Sequence, residues 1–580
     1  MMKKESTGMR IKQFGFAGIG LAGALALAGC LSASDQDDGS NSGSRYQMSG
    51  AVVDGRVAGA VVWVDLNDNG RLDGSEPSAL TDRFGFYSYR PEIRNSQGET
   101  VAAARDYCRE GPARHCLRMR PGTISADTVT VRAIGGFDLA TQQPLSGVLS
   151  TQRGKPRRND GDNLAAGVIT PGTSLGLTDD QVLLALDDIE TAQLLVADFY
   201  AEIEAVLEGD LLPASATTAA LFSLSLNELV RLLLQALEAE GVDVDAAARV
   251  AYDAIATTWQ EFQAATPDLL LSDLLKDADA INAIAEEIRS RVSGAMTGQA
   301  LASRVTIQRS IITAEPQAPM ATQPTDLVEL LLTSRSLAAL LGQDGVNGTQ
   351  SAPAFGDQTQ IDTLAQNVSA LVDAIKHELN GGELDRVTSE SLKIAVTGRD
   401  LINQTLTPED LEEIAGFATL PRILPEEIDG TYLWVTAVEN DQLRGLASLF
   451  FLPGDEPGAG DMRGCIAYAE SGPLGDPDAE VLYLEDAGWA RLNGATLQLD
   501  LPLLSGRDRS VTMQVLGGDN DDMPEAFRLA YRGSTLEWNV QDAESAGFVD
   551  SPKVFADYAA DGLSPPASRA DCRALIQAAD

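Results

Sequence analysis

The chain has few of the side chains that coordinate transition metals or attack substrates. It contains two histidines and five cysteines among 580 residues, and no Cys-x-x-Cys pair. A structural zinc site takes about four nitrogen or sulfur ligands, usually in closely spaced pairs, and with two histidines and no Cys-x-x-Cys pair the sequence lacks that pattern. A phosphate-binding loop, a His-Glu-x-x-His motif and a dinucleotide fingerprint are absent as well. Paired carboxylates stay open as catalytic groups, but 85 acidic residues give no basis for choosing a pair. We therefore expect no enzyme.

Positive charge is also scarce. Against 85 Asp and Glu there are 43 Lys and Arg, which gives a formal net charge of −42. Such a chain repels nucleic-acid phosphates and anionic lipid headgroups. We expect no nucleic-acid partner, and any attachment to a membrane must come from a lipid.

The first 30 residues form a targeting segment. Four cations lie within the first twelve residues, and an apolar run from Phe14 to Ala28 follows. This run is too short and too rich in Gly and Ala to span a bilayer, which indicates a signal sequence over residues 1–29. Leu27-Ala28-Gly29-Cys30 resembles the lipobox of bacterial lipoproteins, which implies cleavage before Cys30 and a lipid on its sulfur. Leu31, where an Asp would favour the inner membrane, implies the outer membrane. The alternative is an ordinary secretory signal with a chance cysteine.

Four cysteines remain if Cys30 carries the lipid. An exported protein meets an oxidising compartment, where disulfides are expected. Cys108 and Cys116 close a short loop, and Cys465 and Cys572 flank the C-terminal part. Three pairings are possible, and the autonomy of the two regions favours 108–116 and 465–572.

Composition and periodicity divide the mature chain into five segments. They are a Ser/Asp/Gly-rich tether (30–48), a β region (49–150), a linker (151–177), a helical region (178–424) and a second β region (430–580). The predicted fold class is multidomain α and β: a small N-terminal β-sandwich, a central antiparallel helical domain and a C-terminal antiparallel meander, barrel or sandwich.

Residues 49–90 resemble the prealbumin-like β-sandwich modules of bacterial surface proteins, of the Cna-B and SdrD-B type. The features that match are a Gly-x-Val-x-Asp-Gly opening, an apolar strand through Val64, an Asp/Asn insertion and a closing Thr-Asp-x-x-Gly-x-Tyr strand. The resemblance implies a calcium-stabilised module and extends more weakly to about residue 150.

The Asp/Asn insertion is the strongest candidate site. Across the twelve residues from Asp65 to Glu76, oxygen side chains stand at positions 1, 3, 5, 9 and 12, with Gly70 at position 6. This is the spacing with which an EF-hand-like loop surrounds Ca²⁺. The predicted ligands are Asp65, Asn67, Asn69, Arg71, Asp73 and Glu76. Arg71 would contribute its backbone carbonyl, and the other five residues would contribute side-chain oxygens. The alternative is a solvated polar hairpin loop.

The middle of the chain predicts helices. Thr178 with Gln181 matches a capping box, and the Thr407-Pro408-Glu409 sequence places a cap before a proline at the first helical position. From Gly430, about eight strands separated by Gly/Asp turns follow up to Val540, and a final helix covers Ser568–Ala579. The Gly-Thr-Tyr-Leu-Trp opening with a late cysteine resembles a lipocalin barrel, which implies a small-molecule carrier as an alternative function.

Four smaller features complete the set of candidates. Gly172–Gly176 matches the Gly-x-Ser-x-Gly nucleophile elbow around Ser174, but Pro171 intrudes and we expect the helix only from Thr178. A hydrolase is therefore a further alternative, and a turn is favoured. His115 and His377 are both expected to face solvent. A second acidic loop, Asp519–Asp522, lacks ligand spacing and predicts a hairpin turn. The sequence thus favours a non-enzymatic outer-membrane lipoprotein with a structural or binding role toward an envelope protein or surface ligand.

Overall fold

The structure is a computed structural model of the chain. It describes residues 46–154, 168–175, 226–292, 363–375, 406–415 and 420–579, with gaps inside most of these ranges. The signal segment, Cys30 and residues 31–45 of the tether lie outside the described residues, as do Thr178, Gln181, His377 and Asp519–Asp522. The end of the expected tether is corrected, because Tyr46–Met48 form a strand that pairs with Leu117–Met119.

The N-terminal β region, residues 46–175, consists of many short strands. Among its described residues these are β1 (Tyr46–Met48), β2 (Gly50–Val52), β3 (Val57–Ala58), β4 (Val61–Asp65), β5 (Ser78–Leu80), β6 (Phe86–Tyr87), β7 (Tyr89–Arg90), β8 (Ile93–Arg94), β9 (Thr100–Ala102), β10 (Arg105–Asp106), β11 (Leu117–Met119), β12 (Thr128–Ile134), β13 (Phe137–Asp138), β14 (Gln143–Pro144), β15 (Val148–Gly154) and β16 (Val168–Ile169). Two short helices, α1 (Tyr107–Glu110) and α2 (Pro171–Ser174), accompany them.

A four-stranded sheet in the order β15-β12-β4-β5 is the largest sheet of this region. Every residue of β4 is buried, and Trp63 is only 1% exposed. β12 runs antiparallel to β4 with Val131 opposite Val64, so apolar β-branched side chains face each other across the pair. The strand expected from the sequence up to Val64 therefore lies at the centre of the core.

The segment expected as a linker contributes to this fold. β15 continues to Gly154, and β16 pairs in parallel with β2, with Val168 opposite Ala51. α2 begins directly at Pro171 because the Thr170 hydroxyl accepts a hydrogen bond from the Thr173 backbone NH, as an N-cap does. The expectation that the chain turns helical only at Thr178 is corrected by this helix.

Three longer helices are described in the middle of the chain: α3 (Val244–Ala265), α4 (Ala278–Arg291) and α5 (Pro408–Ala415). α4 begins after Asp277, whose carboxylate accepts a hydrogen bond from the Ala280 NH. α5 has its proline at the first helical position and Thr407 before it, as predicted. One apolar core joins α3 and α4 to the four-stranded sheet, so the helices pack directly on the N-terminal β region.

The C-terminal part forms one large curled antiparallel sheet, half of a barrel. Its strands are β17 (Thr431–Glu439), β18 (Gln442–Phe451), β19 (Ala459–Tyr468), β20 (Glu480–Arg491), β21 (Leu497–Pro502), β22 (Asp508–Leu516), β23 (Ala526–Tyr531), β24 (Ser534–Asn539) and β25 (Lys553–Asp557). The order runs from β24 to β17 as a meander, and β25 adds beside β17. The predicted meander is confirmed, whereas β25 was not predicted. The final helix, α6, covers Arg569–Ala579.

The two faces of this C-terminal sheet differ. One face is apolar and includes the buried side chains of Phe451, Trp489 and Phe527. Over β21 and β22 the other face is polar, with Gln498 and Thr512 buried at 1% and 5% exposure. That polar face is covered by the N-terminal β region. Within the described strands, the outermost ones, β24 and β25, do not pair with each other.

Two disulfides cross-link the fold in the predicted pairing. Cys108 bonds Cys116 across a Cα–Cα distance of 4.9 Å, and Cys465 bonds Cys572 across 5.5 Å. Both distances lie in the ordinary range for disulfides. The second bond fastens α6 to β19. None of the helices that the structure describes combines the length and apolarity needed to cross a membrane.

Candidate functional site

The Asp65–Glu76 segment, which we call the acidic loop, begins where β4 ends. The Asp65 carboxylate accepts hydrogen bonds from the backbone NH groups of Asn69, at 3.1 Å, and Gly70, at 2.9 Å. The Asn67 side-chain oxygen accepts a further bond from Asn69, at 3.1 Å. Gly70 has φ +77°, a conformation that glycine adopts without strain. These bonds wind the loop around its own polar side chains.

Glu76 closes the acidic loop. Its two carboxylate oxygens accept hydrogen bonds from the backbone NH groups of Leu66, at 2.8 Å, and Asp73, at 2.9 Å. Burial raises the pKa of Glu76, and the negative charges of Asp65 and Asp73 add to the rise, against these two backbone bonds. Two of the predicted ligands, Asp65 and Asp73, thus lie near enough to repel the charge of a third, Glu76.

The side chains of the acidic loop fit Ca²⁺ in chemical type. Asp65, Asp73 and Glu76, the side-chain oxygens of Asn67 and Asn69 and the Arg71 carbonyl are the hard oxygen donors that would hold it. Their arrangement is not a finished metal site, because no group of three Asp, Glu, His or Cys side chains among the described residues is close enough to hold a metal ion. Calcium at this loop stays a prediction.

Two arginines from other elements bind the acidic loop, and one of them, Arg132, neutralises part of its charge. The Arg132 Nε of β12 donates to Asp65 at 2.6 Å, and its Nη2 donates to Asp68 at 3.1 Å. The Arg249 Nη2 of α3 donates to the Asp68 carbonyl at 3.2 Å. The acidic loop therefore also connects the four-stranded sheet with the central helices.

A second polar centre lies where the N-terminal β region meets the C-terminal sheet. We call it the arginine cleft, and it is lined by Arg83, Arg90, Arg105 and Arg114 together with Glu456 and Asp500. Its volume is about 290 Å³. None of these residues was a candidate from the sequence. Eight arginines between residues 83 and 120, in a chain so poor in cations, were the available signal.

Glu456, from the turn between β18 and β19, is the anion at the centre of three of these arginines. Arg90 donates to it at 2.7 Å and Arg105 at 3.2 Å, and the Arg83 guanidinium lies 3.8 Å away. Burial disfavours ionisation of Glu456, but the bonds from Arg90 and the charges of all three arginines outweigh it and lower the pKa of Glu456. The carboxylate is therefore ionised at neutral pH and binds the two regions together.

Arg90 also contacts a second acid within the N-terminal β region. Its Nη1 lies 3.4 Å from the Asp82 carboxylate, and the Tyr107 hydroxyl donates to the same carboxylate at 2.5 Å. Burial and the adjacent negative charge of Asp82 raise the pKa of Tyr107 well above its ordinary value. Tyr107 is therefore a hydrogen-bond donor here.

His115 corrects the expectation of an exposed side chain, because it is 6% exposed. Its Nδ1 lies 2.9 Å from the Leu80 carbonyl, which accepts only, so the proton is on Nδ1. Its Nε2 faces the Asp500 carboxylate at 3.7 Å, and Arg114 binds that carboxylate at 2.9 Å. Burial and the Arg114 charge lower the pKa of His115, in spite of the opposing Asp500 charge.

Ser174 is held by backbone hydrogen bonds. Its hydroxyl donates to the Thr170 carbonyl at 2.7 Å and accepts from the Ser150 NH at 2.8 Å. These contacts fasten α2 to β15, as the turn favoured by the sequence would. His377, the histidine weighed as its partner, lies outside the described residues.

Comparison with protein-family models, with curated proteins and with solved structures finds no match to this chain.

Proposed function

We propose that this chain is a lipid-anchored outer-membrane protein with a structural or binding role and no enzymatic activity. The cysteine pairing carries the proposal. The two disulfides account for four of the five cysteines. The fifth cysteine is Cys30, the residue of the lipobox. Disulfides persist in exported proteins, so the pairing supports export, and the remaining thiol is available for a lipid.

The proposed architecture has three parts beyond the tether. A small β-sandwich of the Cna-B and SdrD-B type comes first, a helical domain follows, and the curled C-terminal sheet is last. The acidic loop binds Ca²⁺ and stiffens the sandwich, since a cation relieves the repulsion around Glu76. The bonded Ser174 hydroxyl supports a role without nucleophilic chemistry. The partner is an envelope protein or a ligand at the surface.

The test of the anchor is mass spectrometry of the N-terminal peptide of the full chain expressed in a bacterium with an outer membrane. The expected peptide begins at an acylated Cys30, and the protein fractionates with the outer membrane. A Cys30→Ser variant should lose the lipid. A Leu31→Asp variant is the matched control, which should keep the lipid and move to the inner membrane. An unmodified, freely soluble wild-type product would refute the proposal.

The test of the metal is thermal unfolding in Ca²⁺ and then in EGTA. Extracellular modules bind with Kd on the order of 10⁻⁴–10⁻³ M, so about 10 mM Ca²⁺ stabilises the protein by roughly 1.4–2.7 kcal/mol. The Glu76→Gln and Asp73→Asn variants should lose this response, whereas Asp279→Asn, an exposed acid on α4, should keep it. An identical midpoint for the N-terminal region with Ca²⁺ and EGTA would reject the calcium proposal.

The alternative of a small-molecule carrier takes its support from the curl of the C-terminal sheet. A carrier needs an apolar cavity inside that curl. The large buried side chains of Phe451, Trp489 and Phe527 occupy the apolar face instead, which favours a structural role for this sheet. Saturable binding of an apolar fluorescent probe, abolished by Phe451→Trp, would favour the carrier.

A further inference from the structure

Arg132 brings a positive charge from β12 to the acidic loop. The loop itself contains one cation, Arg71, and four carboxylates, those of Asp65, Asp68, Asp73 and Glu76. The Arg132 guanidinium binds two of these carboxylates at once, Asp65 through Nε at 2.6 Å and Asp68 through Nη2 at 3.1 Å. Its side chain is 12% exposed and that of Asp65 has no exposed surface, so water screens this pair less than it screens a surface pair. The four-stranded sheet thus holds a counter-ion against the loop.

The orientation of Asp65 does not depend on Arg132. Asp65 is the last residue of β4, and β12 fixes it further by placing Thr130 opposite it. Its carboxylate also accepts hydrogen bonds from the backbone NH groups of Asn69 and Gly70, at 3.1 and 2.9 Å. The backbone therefore orients this carboxylate, and the main contribution of Arg132 is its charge.

Other acids of the loop are bound by neutral N–H groups. Asp73 accepts hydrogen bonds from the side-chain amides of Asn67, at 2.7 Å, and Asn69, at 2.8 Å. Glu76 accepts from two backbone NH groups. These groups satisfy the hydrogen-bonding capacity of the carboxylates but do not neutralise their charge, whereas Arg132 does both for Asp65.

A guanidinium and Ca²⁺ are attracted by the same carboxylates, and two cations close together repel each other. We infer that Arg132 is the resident counter-ion of the acidic loop and that its charge weakens the affinity of the loop for Ca²⁺. This inference rests on the proposed function, because it requires that the loop binds calcium. Arg132 would stabilise Asp65 while calcium is scarce, and it would keep the Kd of the loop in the range of extracellular modules.

The direct test is isothermal titration calorimetry of the full chain in detergent with Ca²⁺. Arg132→Gln removes the charge and keeps an N–H donor, whereas Arg132→Lys keeps the charge and loses the planar fork. A unit charge within about 4–6 Å changes the affinity of a carboxylate for a proton by about 10- to 1,000-fold. Because water screens the exposed side of this loop, we expect Arg132→Gln to bind Ca²⁺ about tenfold more tightly than the wild type. Arg132→Lys should stay within about threefold of the wild type, because the charge is kept.

An orienting role for Arg132 would give a change of the opposite sign. Loss of a residue that positions a metal ligand typically weakens metal binding by about 10- to 100-fold. Weaker or unchanged Ca²⁺ binding by Arg132→Gln would therefore overturn the inference.

Arg109→Gln is the matched control for the change in net charge. It removes the same charge from another ion pair of the N-terminal β region, the one with Asp106 at 3.1 Å. This variant should bind Ca²⁺ as the wild type does. An equal increase in affinity in both variants would assign the effect to the net charge of the protein and overturn the role of Arg132.

Thermal unfolding separates a counter-ion from an ion pair that is only structural. In EGTA, Arg132→Gln should unfold at a lower temperature than the wild type, because Asp65 is left buried without its cation. In about 10 mM Ca²⁺ this deficit should become smaller, since tighter binding stabilises the variant more than the wild type. An equal deficit under both conditions would show a structural ion pair and overturn the inference.

These measurements distinguish a failure of this inference from a failure of the calcium proposal. If neither the wild type nor Arg132→Gln binds Ca²⁺, the calcium proposal is refuted and the inference falls with it. If the two proteins bind Ca²⁺ with equal affinity, the calcium proposal stands and only the counter-ion role of Arg132 is refuted.

Discussion

The N-terminal β region and the C-terminal sheet are both built from antiparallel strands for the most part, but they differ in the number of their sheets and in the length of their strands. The first divides into six small sheets whose strands are two to seven residues long, while the second is one sheet of nine strands with five to twelve residues each. Long strands form a continuous hydrogen-bonded ladder with one apolar face. Short strands cannot form such a ladder. The C-terminal sheet buries the charged groups of Asp500 and Arg528, whereas the first region buries a larger number of charged groups, Arg56, Asp82 and Arg90 among them. Buried charges require partners, so its stability depends on particular pairs.

Removing the disulfides should give the largest difference between the two regions. The Cys465–Cys572 bond closes 107 residues, and the Cys108–Cys116 bond closes 8. Because a longer loop loses more entropy when it is closed in the unfolded chain, the paired Cys→Ser change should cost about 5 kcal/mol at Cys465–Cys572 and about 2.5 kcal/mol at Cys108–Cys116. Urea unfolding of the two double variants measures this, and equal losses would contradict the loop-length explanation.

Glu456→Gln tests the connection between the two regions. It removes the anion that Arg90 and Arg105 share and leaves their guanidinium groups facing one another. Allowing for its 23% exposure, we expect a loss of about 2 kcal/mol and separate unfolding transitions for the two regions. Asp455→Asn is the matched control one residue away, whose exposed pair with Arg105 should contribute less than about 0.5 kcal/mol. A single transition of unchanged midpoint in Glu456→Gln would contradict this role.

The smallest effect concerns pH. Because burial holds the pKa of His115 below 6.5, the unfolded chain takes up this proton before the folded protein does as the pH falls. The contribution of neutral His115 is therefore complete above about pH 6.5 and decreases below it. His115→Asn keeps a donor toward the Leu80 carbonyl but does not titrate.

The wild-type protein should therefore lose more stability than His115→Asn between pH 8 and pH 5.5, with Arg114 and Asp500 present in both. Urea midpoints at the two pH values measure the difference. Parallel losses in the two proteins would show that His115 does not contribute.

Features of the fold that depend on a local sequence pattern could be predicted from the sequence. The meander after Gly430 follows from strand-length apolar runs between Gly and Asp turns, and β17 to β24 match it. β25 was missed because it pairs with β17, more than a hundred residues earlier, and only the sheet brings the two together. The disulfides were predictable because four cysteines separate naturally into a near pair and a distant pair.

The arginine cleft could not be predicted in the same way. Arg90 and Glu456 are 366 residues apart, and nothing near either residue identifies the other. His115 was expected at the surface because arginines surround it in the sequence, yet the C-terminal sheet covers it through Asp500. A contact between two distant regions produces no repeating pattern in the sequence of either region, so sequence periodicity cannot reveal it.

The bond between β19 and α6 has a consequence for a chain that is cut. A protease that cleaves any peptide bond between Cys465 and Cys572 produces two fragments that remain one covalent molecule. Most of the strands of the C-terminal sheet lie between these cysteines. The two fragments of a nicked protein therefore stay linked, and the sheet can keep its fold. The damage would become visible as separate bands only after a reducing agent is added.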